Sequence, residues 1–192
     1  MLSPTALLQS LGDLFQAPHM TQKDNAPLEK LIQLRHLEQL VVPIFGVEIV
    51  PLDIPPRLER FRLQPNDILI GIRAQPLRAS LVPPELKGAL PGQNLGILRP
   101  NKNIDPLYLC VILRSNLGQQ LTQALFSQST VKLINLKDLG SIQIPIPSLQ
   151  TQQKISTIAL DHQQETKLKQ LELEQRSKVI EQAMLQLAKG EH

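Results

Sequence analysis

From Leu149 to Lys189 the chain contains neither proline nor glycine. Gln, Glu, Lys and Leu dominate that stretch, and all four are good helix formers. At 1.5 Å per residue, about 40 helical residues extend roughly 60 Å, about twice the width of a small domain. So long a helix outruns the body it could cover, and it needs a packing partner along its length. Apolar residues stand at Ile155, Ile158, Ala159, Leu168, Leu171, Val179, Ile180, Ala183, Met184 and Leu187, recurring three and four apart within clusters, with Gln164 and Gln175 interrupting the seam. The pattern predicts a helix over residues 149–190 that pairs as a coiled coil. The alternative is a helix folded back on its own domain.

The residues before this helix have the opposite character. The chain's 16 prolines crowd into them, which predicts an irregular, loop-rich, mostly β domain over residues 1–148. The expected fold class is α+β: a mixed, β-rich globular domain followed by one long C-terminal helix. Ser3-Pro4 with Leu7, Leu8, Leu11, Leu14 and Phe15 reads as a short amphipathic helix, and residues 18–27 as a polar loop. Leu28–Leu40 is ambiguous between helix and strand. Ile44–Val50, Arg57–Leu63, Ile68–Ile72, Ala79–Val82, Leu95–Leu98 and Val131–Ile134 read as strands, with a turn at Pro65-Asn66-Asp67. Asp105–Phe126 reads as one helix, Asn135 as the cap of a single turn, and Ile142–Ile146 as a half-buried edge strand.

Catalytic constellations are missing from the sequence. No two of His19, His36, His162 and His192 stand at metal-ligand spacing with a carboxylate or cysteine, so they read as surface or structural residues. Cys110 is the single cysteine and lies in an apolar run, which predicts a buried core thiol. There is no phosphate-cradling glycine loop and no nucleophile elbow. Ile54-Pro55-Pro56-Arg57 has the wrong neighbours on both sides for a methyltransferase motif. The expectation is a binding module, with no cofactor, metal or catalysis of its own. No apolar run approaches the 18 or so residues of a membrane span, and Met1–Phe15 lacks the layout of a secretory signal. A cytoplasmic location is therefore expected.

Net charge is only +3, but its distribution is uneven. Residues 57–102 hold eight Lys and Arg against three acids, whereas residues 151–192 hold six of each sign. The excess in the globular part suits phosphates; a solvated surface of ordinary cations accounts for it equally. Aromatics amount to four Phe and one Tyr, with no Trp. Single-strand binders stack bases on aromatic rings, so a duplex partner is favoured over a single strand.

The segment Leu139-Gly140-Ser141-Ile142-Gln143-Ile144-Pro145-Ile146-Pro147-Ser148, continuing through Leu149-Gln150-Thr151-Gln152-Gln153-Lys154-Ile155, resembles the close of a target-recognition domain in Type I restriction–modification specificity subunits. There, an edge strand ending in proline, small residue, proline leads into a Gln-Lys-Ile helix start. Leu11-Gly12-Asp13-Leu14-Phe15 is similar to the family's opening helix. Leu63-Gln64-Pro65-Asn66-Asp67-Ile68-Leu69-Ile70 resembles its Gly-Asp-Ile-Leu step, with Asn66 at the usual glycine. Asp105-Pro106-Leu107-Tyr108-Leu109 resembles its Pro-x-Tyr-Leu helix start, and Ser129-Thr130-Val131-Lys132 the loop after that helix. The likeness runs from residue 5 to residue 189.

The resemblance implies sequence-specific recognition of double-stranded DNA. It also implies docking of methyltransferase (modification) subunits, with the restriction subunit as a further partner. A full specificity subunit carries two recognition domains and two spacer helices, and this chain has one of each. An antiparallel homodimer through the C-terminal helix is thus expected, the helix setting the distance between two half-sites. Base-edge candidates lie on loops: Arg73, Gln75 and Arg78, then Gln128, Ser129, Thr130 and Lys132. Arg57, Arg60 and Arg62 are candidate phosphate contacts. The competing reading is a coiled-coil protein-interaction adapter that binds no DNA, or a degenerate remnant of such a subunit.

Overall fold

In the computed structural model, which describes residues 4–127 and 133–189, the chain ends in the helix that the composition demands. In chain order the strands are β1 (Thr5–Leu7), β2 (Gly12–Gln16), β3 (Leu28–Ile32), β4 (Glu48–Pro51), β5 (Ile68–Gly71), β6 (Ala79–Leu81), β7 (Leu90–Pro91), β8 (Leu95–Pro100) and β9 (Gln143–Pro145). The helices are α1 (Pro106–Arg114), α2 (Asn116–Ser127), α3 (Leu136–Gly140) and α4 (Leu149–Lys189). The chain divides into two compact units, Met1–Ser156 and Thr157–His192.

Three small sheets build the first unit, in the orders β2-β8-β5-β6, β4-β3-β7 and β1-β9. Among the described residues, every pairing between these strands is antiparallel except the parallel β3–β7. The core runs through β5 and β8. Ile68, Leu69, Ile70, Leu95, Ile97 and Leu98 are fully buried, as continuous apolar strands covered on both faces should be. Cys110 is buried too, and burial pushes its thiol pKa up, so it is an inert core group.

The amino-terminal segment departs from its expected helix. It forms β1, a 3-10 turn at Leu8–Ser10 and β2. Leucines spaced for a helix equally suit a strand–turn–strand, and long-range pairing decides between them. β2 pairs along its full length with β8. Gly12 permits this, because a Cβ there would lie 2.2 Å from the Arg99 carbonyl oxygen. β1 pairs with β9, and Ile146 N–H donates to the Pro4 carbonyl.

Leu28–Leu40 resolves into β3 and a 3-10 turn at Leu34–His36, and β4 starts at Glu48, later than Ile44. Residues 57–63 are not a strand. Pro56–Phe61 is a 3-10 helix led by Pro55 and Pro56, whose fixed φ and missing N–H suit a helix start and not a sheet ladder. The helix expected over Asp105–Phe126 breaks at Ser115, which is extended at φ −68° and ψ 167°. Ser115 Oγ accepts from Gly118 N–H and restarts the chain as α2. A Cβ at Gly118 would meet the Ile112 carbonyl oxygen at 2.3 Å, so the break requires glycine there. Leu133 and Ile134 form no strand, and Val131 and Lys132 lie outside the described residues. Asn66 adopts φ 71°, a left-handed conformation that Asn tolerates better than most non-glycine residues.

Polar contacts inside the first unit fix the start of α4. Asp105 caps α1, its Oδ1 accepting from Leu107 and Tyr108 N–H, while Ser156 Oγ donates to its Oδ2 at 2.8 Å. The buried Gln152 amide bridges Asp105 N–H and the Pro147 carbonyl at 2.9 and 2.8 Å. Tyr108, also buried, donates its hydroxyl to the Pro145 carbonyl at 2.6 Å. A Gln152→Ala variant strands two half-buried backbone groups, so unfolding stability should fall by about 1–3 kcal/mol. Chemical denaturation of the full chain measures this, and Gln150→Ala, exposed on the first turn of the same helix, serves as the control.

The second unit is the rest of α4. Ile158, Leu168, Leu173, Val179, Met184 and Leu187 are each more than 60% exposed in it. No helix among the described residues is long and apolar enough to cross a membrane.

Candidate nucleic-acid interface

The positive excess of residues 57–102 separates into two populations. Arg62 is held by Glu29 and Glu59 and donates to the Gly88 carbonyl. Its guanidinium keeps the Glu29 carboxyl below the usual carboxylate range. Arg99 forks onto the fully buried Asp67 and lies 5.5 Å from the Phe15 ring. Arg78 pairs with Glu38. Beyond that window, the half-buried Arg114 donates to the carbonyls of Leu37, Glu38, Gln39 and Ala79. These four arginines are bound within the domain. Arg57, Arg60, Arg73, Lys87 and Lys102 are exposed and form no ion pair among the described residues. Arg60 rests over the Phe61 ring at 4.8 Å.

Two adjoining recesses open on the first unit, of about 290 and 300 Å³. His19, Gln93 and Asn94 line both. Arg73 enters one of them, from the turn after β5. Gln33 and Arg35 enter the other, from the turn after β3. Gln33 donates to Glu48, which also pairs with Arg35. The Pro91–Asn94 turn reaches both recesses because β7 and β8 belong to different sheets, and this turn joins them.

The structure thus brings Arg73 to a polar concavity. Gln75 stands in a separate hollow with Gln119 and Phe126. Arg57, Arg60 and Arg62 line neither recess. Gln128, Ser129, Thr130 and Lys132 lie outside the described residues. His36 is buried and structural: its Nδ1 accepts from Gln33 N–H, and burial holds its pKa below the ordinary value. No group of His, Cys, Asp and Glu among the described residues is arranged to hold a metal ion.

Sequence reading passed over Gln93 and Asn94 and took His19 for a surface or structural residue. A loop glutamine carries no signal until its turn is placed beside another loop. The Arg35–Glu48 and Arg62–Glu29 pairs were equally invisible, since they join residues 13 and 33 positions apart.

The fold is similar to that of solved specificity subunits. A chain from the type I R-M system, whose complex assembly and conformational transition have been described, superposes with a TM-score of 0.64 at 21% identity, over 91% of this chain and 42% of that one. The HsdS subunit of Thermoanaerobacter tengcongensis gives 0.57 at 20% identity, over 84% and 37%. The S subunit of M. genitalium gives 0.59 at 14%, over 93% and 43%. In sequence, the type I restriction enzyme MjaX specificity subunit of Methanocaldococcus jannaschii is 39% identical over 77 residues, which is 38% of this chain and 17% of that protein. The family model of the type I restriction modification DNA specificity domain matches residues 9–176, and the chain belongs to that family. It spans less than half the length of each of these relatives.

Proposed function

We propose that this chain recognises a double-stranded DNA sequence as the specificity subunit, or half-subunit, of a type I restriction–modification system. In this reading it has no catalysis of its own and docks methyltransferase subunits that carry out the chemistry, with the restriction subunit as a further partner. Residues 1–148 form the reader and residues 149–190 the spacer. The observation that carries the reading is the polar concavity at His19, Gln93 and Asn94, flanked by Arg73. Amide, imidazole and guanidinium groups are those that read base edges, and unpaired surface cations such as Arg57, Arg60, Lys87 and Lys102 suit phosphates. Arg78, Gln75, Gln128, Ser129, Thr130 and Lys132 remain candidate contacts. Arg62, committed to two carboxylates, is the weakest of the original set.

The spacer supplies the second half of the proposal. Two copies packing residues 157–189 antiparallel would cover the exposed leucines and set two readers at a fixed spacing. A coiled-coil adapter, or a remnant that no longer binds DNA, would expose the same helix, so the reader decides between these readings.

Mobility shift with a random-sequence 30-bp duplex at low salt provides the test. The full chain should retard the duplex. Arg73→Ala should weaken binding and reduce the salt slope by about one unit, the loss of one phosphate-neutralising cation. A wild-type chain that shifts no duplex, alone or with a methyltransferase subunit, sinks the DNA reading in favour of the adapter.

A further inference from the structure

We infer that Gln93 and Asn94 are base-reading residues and that the base they read is adenine; the inference rests on the double-stranded DNA reading above. The first support is rigidity. Gly92 N–H donates to the Ile32 carbonyl at 2.7 Å, Leu95 N–H to the Gly92 carbonyl at 3.1 Å, and Ile72 N–H to the Asn94 carbonyl at 3.2 Å. The turn is thereby tied to the end of β3 and to the residue after β5. A Cβ on Gly92 would lie 3.2 Å from the Ile32 carbonyl oxygen, a tight contact, so glycine suits this close approach of the turn to β3. A reader must hold its donors and acceptors in place before the ligand arrives.

The second support is that these amides are uncommitted. Gln33, beside them, donates to Glu48, and Gln119 spends its amide on Leu77 and the α1 carbonyls. Gln93 and Asn94 make no side-chain hydrogen bond among the described residues, and with His19 they alone line both recesses. The third support is chemical. A carboxamide presents one donor and one acceptor in a single plane. In the major groove that fork matches N6 and N7 of adenine, whereas guanine offers two acceptors and calls for arginine. Arg73 and Arg35 stand in the two recesses with the amides, where cations hold the backbone or a neighbouring guanine.

The test is selection of duplexes with a random 14-bp core by the full chain at low salt, followed by sequencing. Wild type should enrich a motif containing adenine. Gln93→Ala and Asn94→Ala should each relax one adenine position by about 5- to 150-fold, the discrimination of one bidentate pair, with the rest of the motif kept. Gln93→Glu should move that position toward cytosine, whose N4 amino group donates to a carboxylate. It is an exposed substitution and keeps the test decisive if Asn94→Ala unfolds. A wild-type motif returned unchanged by all three variants overturns the assignment and leaves DNA recognition standing. A wild-type chain that enriches nothing overturns both.

Discussion

Asp67→Ala should lower the unfolding stability of the first unit by about 3–5 kcal/mol, the loss typical of breaking a buried ion pair from one side. The Asp67 side chain is fully buried and that of Arg99 is 26% exposed. Asp67 Oδ1 accepts from Arg99 Nε at 2.8 Å, and Oδ2 accepts from Arg99 Nη2 at 2.9 Å and from Gln64 N–H at 2.8 Å. Alanine removes all three acceptor contacts at once. It leaves a guanidinium in a partly dry site and orphans the N–H of Gln64, which belongs to the turn before β5. Asp67→Asn keeps an oxygen for one of these donors, so its loss should be smaller, about 1–3 kcal/mol. Urea denaturation of both variants checks the ranking. A loss below about 1 kcal/mol for alanine would mean that Arg99 finds water easily, and that the pair contributes no more than a surface one. A double variant, Asp67→Leu with Arg99→Met, should recover part of the loss because neither charge then remains buried.

The same residue shows what the sequence made legible. Pro65-Asn66-Asp67 announced a turn, and the turn is there, with Asn66 in the left-handed conformation that a glycine would occupy. What Asp67 does there could not be read, because its partner lies 32 positions away on β8. Period and punctuation are local signals. They located β5, β6, β8, α3 and the 41 residues of α4. They failed where pairing across the chain outweighs local preference, as at β1 and β2. They failed again where a single side chain breaks a good helical pattern, as at Ser115. The resemblance carried further than periodicity, and the structure supplies its physical reasons: Tyr108 bonds the Pro145 carbonyl, and Gln152 bonds the Pro147 carbonyl and Asp105 N–H. Those motif residues join the last strand to the two helices beside it. The candidate interface was the least legible part. Arg73 was read from its place after β5, but the amides beside it gain meaning only once β7 and β8 are assigned to separate sheets.

Replacing Leu173 and Ile180 together by lysine should convert the chain from dimer to monomer. They stand seven residues apart, as does Leu187 beyond them, so the three fall on one stripe of a helix packed at the coiled-coil period. In the single chain they are 64%, 52% and 72% exposed, as are other apolar side chains of a unit that is one helix from Thr157 onward. An isolated helix with its apolar positions in water gains little from packing, which motivates a second copy as the cover. Burying one Leu or Ile is worth about 1.5–3 kcal/mol, and the double variant changes four such positions per dimer. Even at the low end of that range, the dissociation constant should rise more than about a thousandfold, each 1.4 kcal/mol being a factor of ten. Analytical ultracentrifugation of the full chain at micromolar concentration should give twice the 21.5 kDa protomer mass for wild type and the protomer mass for the variant. Glu172→Lys with Glu181→Lys, which alters charge near the stripe and leaves the leucines in place, should stay dimeric. A wild-type chain that sediments as one protomer without losing helical content by circular dichroism would remove the spacer from the proposed function, because a ruler with one reader measures no distance.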